Sequence, residues 1–409
     1  MDDPTPHLER FSSYDQAIRE FQCCIPQRIN IAASLCRRHR DSITRIALSD
    51  VRIGGVNTYT FGGLDYLSDK FATALSEGNI KAGDAVAVAL RPSVALAVSH
   101  LGSIKTGGVV VPISPTATSD FVGNVLERSK AKVFILDESL LIRLEEAGIP
   151  LNQTESLFVV RDVPTKPKQT ASYKDFWSDV DRCSSDFTTV EIESNSPVFI
   201  FFVERQQSVY GVVHSARSVI SQLSGFEFFN EFDTKAAFWL GGDWSSASAL
   251  MCTLFPSWWY GCSVIADSSE KGLSIKRLGD RCEITNVFSS SQVNQCTDEL
   301  STMMDATMLS EAFGIPESGW LIGTSRKWVE PGVPSECRVV PGRMVDVIDS
   351  NGKPLLPGAV GHIAIHKSDP GLFTGYQGQM LGVPLDEWFL IGESGFKTEA
   401  GELRFVLQG

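Results

Sequence analysis

Residues 81–112 read KAGDAVAVALRPSVALAVSHLGSIKTGGVVVP, and the order of signals in this stretch decides the fold. Lys81-Ala82-Gly83-Asp84 has turn chemistry. Ala85 to Leu90 is a short apolar run of strand length. Ser93 to Lys105 reads as a helix, which Thr106-Gly107-Gly108 stops. Val109 to Pro112 is a second apolar strand. A strand, a helix and a strand in this order predict a parallel βαβ unit with a crossover helix. Upstream, Thr60-Phe61-Gly62-Gly63-Leu64 begins another helix, with Leu64, Leu67, Phe71 and Leu75 at three- and four-residue steps. Downstream, Asp120 to Ser129 is a helix and Lys132 to Leu136 a strand, so the alternation continues.

Further along, Asp162 to Thr170 carries Pro164, Pro167 and several lysines and reads as a surface loop. Pro197 to Val203 is a strongly apolar strand, and Ala236 to Leu240 and Ser263 to Ala266 are further strands. After about Val339 the pattern changes. Val345 to Asp349 precedes the turn Ser350-Asn351-Gly352. Leu355-Leu356-Pro357-Gly358 is a second turn, and Gly361 to His366 alternates. Short strands joined by tight turns predict a small β-rich subdomain.

Composition narrows the function classes. The chain has 409 residues, 43% hydrophobic and 21% charged, which is ordinary for a globular protein with a large core. Its formal net charge of -13 argues against nucleic acid and anionic membranes as partners. The N-terminus has no apolar signal core, and no apolar run is long enough to span a bilayer. A soluble cytoplasmic protein is expected. The nine cysteines form no CxxC pair, and six histidines offer no zinc spacing, so no metal and buried reduced thiols are expected.

Several segments, in this order, make the chain similar to the large N-terminal domain of acyl-CoA synthetases, the adenylate-forming (AMP-binding) family. They are Tyr59 to Leu64, Lys81 to Asp84 and Lys105 to Ile113. Gly242-Asp243-Trp244 resembles the family's aspartate–tryptophan motif beside the acyl pocket. Asn351 to Leu355 with Pro357 to Ile363 resembles its β-subdomain signature, and Asp369 to Tyr376 matches a further stretch. The resemblance covers nearly the whole chain. It implies an α/β fold of two Rossmann-like lobes with mainly parallel sheets, over 1–190 and 191–338, and a small β-barrel subdomain over 339–409.

The same resemblance shows what has changed. Family ligases join a carboxylic acid to AMP and then pass the acyl group to CoA. Their phosphate loop is a run of glycine, serine and threonine ending in Pro-Lys-Gly, where small residues let backbone N–H groups approach phosphate oxygens. Here the run is Val203-Glu204-Arg205-Gln206-Gln207-Ser208-Val209-Tyr210-Gly211, with Tyr210 at the lysine position. The aromatic-Gly-Gln-Thr-Glu motif, which supports adenine and supplies a magnesium carboxylate, reads as lost after Phe313-Gly314-Ile315-Pro316. The glycine-rich strand upstream of it reads as deleted between Cys296 and Leu309. The ribose-binding aspartate is matched by Glu393. The chain stops near the hinge to the domain that carries the catalytic lysine, so that domain is expected to be absent. Removing one charge-stabilising group typically costs ~10² or more in rate, so several losses together predict no useful ATP-dependent ligation and no bound cofactor.

The acyl side of the cleft is the part retained. His214, Glu204, Arg205, Tyr210 and Asp243 are candidate catalytic residues. Each has a structural alternative: a hydrogen-bonded core histidine, a surface loop for Glu204, Arg205 and Tyr210, and a helix cap for Asp243. Trp244, Ser245, Ser246 and Trp320 are candidate substrate contacts, whereas Trp258 and Trp259 read as core packing. The leading expectation is an ATP-independent relative that transforms an apolar small molecule by cyclisation, isomerisation or acyl transfer in a biosynthetic, secondary-metabolite setting. The alternatives are a non-catalytic ligand sensor or partner of another biosynthetic protein, and residual adenylation.

Overall fold

The computed structural model describes residues 3–41, 44–52, 54–161, 173–269, 273, 275–288, 310–325, 328, 337–378 and 387–406. The expected surface loop Asp162–Thr170 and the stretch from Cys296 to Leu309 lie outside the described residues.

The opening motif folds as its pattern predicts. Ala85–Ala89 and Val109–Pro112 are adjacent parallel strands joined by the helix Val94–Lys105. Short polar side chains mark the helix starts. Thr60, Ser93 and Thr118 accept backbone N–H bonds from Gly63, Leu96 and Phe121. Asp137, at the end of the strand Val133–Asp137, does the same for Leu140. Each cap satisfies a donor that the first helical turn leaves without a partner.

An eight-stranded sheet has the order Gly375–Tyr376, Ser208–Ser215, Pro197–Arg205, Val109–Pro112, Ala85–Ala89, Val133–Asp137, Ser156–Val160, Lys174–Asp175. Its central strands alternate between two apolar clusters, Val86, Val88 and Val110 entering one and Ala85, Ala87, Val109 and Val111 the other. Burial on both faces is why these strands read as continuous apolar runs. The helix Val94–Lys105 is buried along its whole length. It packs on the helix Phe61–Glu77, where a Cβ on Gly102 would stand 2.8 Å from the Phe71 ring.

A five-stranded sheet has the order Asn286–Phe288, Ala237–Leu240, Ser263–Asp267, Ile46–Arg52, Gly55–Thr60. All its pairs are parallel except the hairpin of Ile46–Arg52 with Gly55–Thr60. The strands Glu311–Ile315, Gly319–Thr324 and Arg338–Val339 form a small antiparallel sheet. Val345–Ile348, Gly361–His366, Trp388–Lys397 and Leu403–Phe405 form another.

The α/β class and the parallel sheets stand as expected. The lobe boundary at residue 190 does not describe the sheets. The strands Pro197–Arg205 and Ser208–Ser215 belong to the first sheet, and Ile46–Thr60 supplies two strands to the second. Long-range pairing overrode sequence order here.

Candidate functional site

The phosphate-loop position is a tight hairpin. Pro197–Arg205 and Ser208–Ser215 pair antiparallel to the tip, with Val203 opposite Tyr210, Glu204 opposite Val209 and Arg205 opposite Ser208. Only Gln206 and Gln207 lie between the strands, at φ 49° and 62°. Two central residues with positive φ are the pattern of a type I′ turn, which matches strand twist. Such a ladder turns the backbone donors of alternate pairs onto the partner strand and holds the rest in extended strands, not in the curved nest that a phosphate-binding loop turns toward a ligand.

Cross-strand partners project to one face of a sheet. Arg205 and Tyr210 therefore share a face, and Glu204 takes the opposite one. Tyr376, paired with Val212, joins the first face, its ring centroid 5.8 Å from that of Tyr210. On this face the Arg205 guanidinium closes bidentately on the Glu317 carboxylate, with Nη1 2.6 Å from Oε1 and Nη2 3.0 Å from Oε2. Tyr376 Oη donates to Glu317 Oε1 at 2.8 Å. Glu317 is fully buried, while the Arg205 side chain is 45% exposed. The carboxylate raises the Arg205 pKa further, and burial beside Glu317 pushes the Tyr376 phenol up to about 12.

Glu317 corrects the reading of the adenine motif. Phe313-Gly314-Ile315-Pro316-Glu317 keeps the motif's aromatic residue, glycine and glutamate at the motif's own spacing. Gln-Thr has become Ile-Pro, but the glutamate is present. Both its oxygens are engaged by Arg205 and one also by Tyr376, so the carboxylate is not free to take a magnesium ion. These residues do not fit a magnesium–triphosphate group. Among the described residues, no group of three or more His, Cys, Asp or Glu side chains is arranged to hold a metal.

His214 does not face a cleft. It is fully buried, its Nε2 donates to the Pro316 carbonyl at 2.7 Å, and its Nδ1 lies 3.1 Å from Ser218 Oγ. Burial pushes its pKa down to about 4, so the ring is neutral near pH 7. With its ring nitrogens occupied inside the core, His214 fixes the strand against Pro316 and has no route for proton exchange with a substrate. Glu204 is exposed on the other face of the hairpin, and Tyr210 is 40% exposed at its edge. The five candidate catalytic residues are thus not one site: alternation in the hairpin separates Glu204 from Arg205, and burial removes His214.

Trp244 and Trp320 are core residues rather than pocket walls. Trp244 is 1% exposed, and the Trp320 ring packs on Phe229 and Phe288. Trp258 and Trp259 are buried as expected. Glu393, matched to the ribose-binding aspartate, is exposed on the strand Trp388–Lys397.

Asp243 lies in a different place. It follows the carboxyl end of the strand Ala237–Leu240, and Ser114 follows the carboxyl end of Val109–Pro112. Ser114 Oγ donates to Asp243 Oδ2 at 2.6 Å, tying the two large sheets together where their strands end. Ser245 donates to Asp243 Oδ1 through its backbone N–H at 3.0 Å and through its hydroxyl. Ser246, not Asp243, caps the next helix by accepting from Ala249 N–H at 3.2 Å. Asp243 and Ser245 are partly exposed and Ser246 is exposed. Crevices at strand carboxyl ends are where open α/β sheets bind ligands. Sequence reading singled out Asp243, Ser245 and Ser246 but not Ser114, whose signal was its place just after a buried strand. Nor did it single out Tyr376, although that residue lies inside a quoted motif.

A family model described as AMP-binding enzyme matches residues 36–203. The acyl-coenzyme A synthetase ACSM3 of Mus musculus, a mitochondrial protein, is 22% identical over 453 residues, covering 97% of this chain and 75% of that protein. The chalcone synthase cfoA of Aspergillus candidus is 25% identical over 263 residues, covering 62% of this chain and 9% of that protein. The acyl-CoA synthetase of Brucella canis superposes with a TM-score of 0.85 at 19% identity, covering 97% of this chain and 80% of that one. No helix among the described residues is long and apolar enough to cross a membrane.

Proposed function

We propose that the chain is a member of the AMP-binding enzyme family, whose model matches residues 36–203, that it forms no acyl adenylate, and that a crevice between its two large sheets, where Ser114 meets Asp243, binds a small organic molecule. The hairpin Pro197–Ser215 carries this reading. Its extended ladder replaces the curved run of backbone donors a phosphate needs, and Arg205 neutralises Glu317 from within the chain. A triphosphate placed there would meet a closed turn and an engaged carboxylate.

The crevice around Ser114, Asp243 and Ser245 is the retained polar site. Binding fits better than the catalysis expected from sequence. The Asp243 carboxylate already accepts from three donors within the chain, and His214 is sealed away. The likeness to a segment of a chalcone synthase supports a biosynthetic setting, with the protein as ligand-binding partner of a synthetic enzyme.

Pyrophosphate exchange tests the absence of adenylation. With magnesium-ATP and a panel of medium-chain and aryl acids, labelled pyrophosphate is expected to enter ATP no faster than without protein. Exchange dependent on any one acid would overturn the proposal.

A further inference from the structure

We infer that the arginine-lined pocket between the helix Ile31–Arg37, the segment Thr189–Glu191 and Trp259 is a carboxylate-binding site, and that the chain's own Asp3 is its resident occupant. A cavity of about 410 Å³ opens here, with Arg28, Arg37, Arg38, Asn30, Thr189 and Trp259 in its wall. It lies apart from both the hairpin and the crevice, sharing no residue with them.

The seating of Asp3 is that of a recognised ligand. Arg38 donates through Nη1 to Asp3 Oδ1 at 3.2 Å and through Nη2 to Oδ2 at 2.9 Å, the bidentate geometry of guanidinium on carboxylate. The guanidinium carbon lies 4.5 Å from the Trp259 ring centroid, so an aromatic face fixes the fork from behind. Thr5 Oγ1 accepts from Trp259 Nε1 at 2.9 Å and from Arg38 Nη2 at 3.2 Å, holding the segment down. Asp3 in turn accepts from the backbone N–H and hydroxyl of Thr5.

The other cations are engaged differently. Arg28 pairs with Glu193 at 2.7 Å and donates to the Glu191 carbonyl, while Arg37 donates to Thr189 Oγ1 at 2.9 Å. Glu191 also lines the pocket. If Asp3 leaves, Arg38 loses its carboxylate partner, and a single carboxylate restores the pair. The cavity beside it, with Pro26, Ile29 and Ala33 in its wall, then favours a carboxylate on an apolar body over a bare anion. Asp3 is tethered and so competes with any free carboxylate at high local concentration. Its side chain is about half exposed, which makes displacement feasible without unfolding the core.

Benzoate titrated into the full chain by calorimetry tests this. Asp3→Ala is expected to bind benzoate at least tenfold more tightly than the wild type, because the tethered competitor is gone. Asp3→Asn, which keeps the segment's shape, is expected to show a gain in the same direction. Arg38→Gln on the Asp3→Ala background is expected to abolish that gain. Equal affinity in wild type and both Asp3 variants would overturn the inference, as would a gain that survives Arg38→Gln. A benzoate site in the crevice would respond to neither residue, so this result is separable from the fate of the adenylation proposal.

Discussion

Replacing Arg343 by methionine is expected to lower folding stability by about 3–5 kcal/mol, read as a fall in the urea midpoint. Arg343 and Asp369 are fully buried and paired, with Nη2 2.8 Å from Oδ1 and Nε 3.0 and 3.1 Å from the two oxygens. Nη1 also donates to the carbonyls of Ser318, at 3.1 Å, and Trp320, at 2.5 Å. Asp369 further accepts from the N–H groups of Met344, at 2.6 Å, and Gly371, at 2.8 Å. Gly371 must be glycine for this fit, since a Cβ there would lie 2.6 Å from the guanidinium. Methionine fills much of the volume but leaves a buried carboxylate without its cation and two carbonyls without donors. Most of the loss comes from that uncompensated charge. The double variant Arg343→Met with Asp369→Leu is therefore expected to recover part of it, whereas equal loss in both would assign the cost to packing.

Lys105→Met is expected to cost a similar ~3–5 kcal/mol at neutral pH. Lys105 ends the helix Val94–Lys105 and is fully buried. Its Nζ lies 2.6 Å from Asp65 Oδ1 and 2.7 Å from Asp69 Oδ1, and donates to the Asp65 carbonyl at 3.0 Å. Both aspartates lie on the neighbouring helix Phe61–Glu77, so the cluster ties the two helices together. Without the ammonium, two nearby carboxylates are left in poor solvent. Burial already raises the Asp69 pKa in the wild type, against the opposing effect of Lys105. Removing Lys105 raises it further. A carboxylate with a raised folded pKa binds more protons folded than unfolded, so its destabilisation shrinks as pH falls. The deficit of the variant relative to wild type is expected to be smaller at pH 4 than at pH 7. A deficit that grows on acidification would contradict the account of this cluster.

What the sequence revealed depended on the range of the interactions. The strands Ala85–Ala89 and Val109–Pro112 and the helix between them were legible because period and stop signals are local. The exchange of Ile46–Thr60 and Pro197–Ser215 between sheets was not, since it is set by pairing across more than 80 residues, such as Phe199 with Val110. The hairpin tip was hidden for a different reason. Gln206-Gln207 adopts a turn whose usual signal is Asn-Gly or Asp-Gly, so the segment read as an altered loop rather than as paired strands. Glu317 was legible in principle, because aromatic-Gly-x-x-Glu survives intact around a changed Ile-Pro. Its capture by Arg205, 112 residues away, was not. The pair Arg343–Asp369 and the seating of Asp3 on Arg38 likewise depend on tertiary proximity alone.

Calorimetric titration of the full chain with magnesium-ATP tests the central claim most directly. A phosphate position closed by the hairpin and a glutamate held by Arg205 predict no saturable heat up to millimolar nucleotide. A saturable isotherm in the micromolar range would contradict the account, because it would require the hairpin to open and Glu317 to leave Arg205.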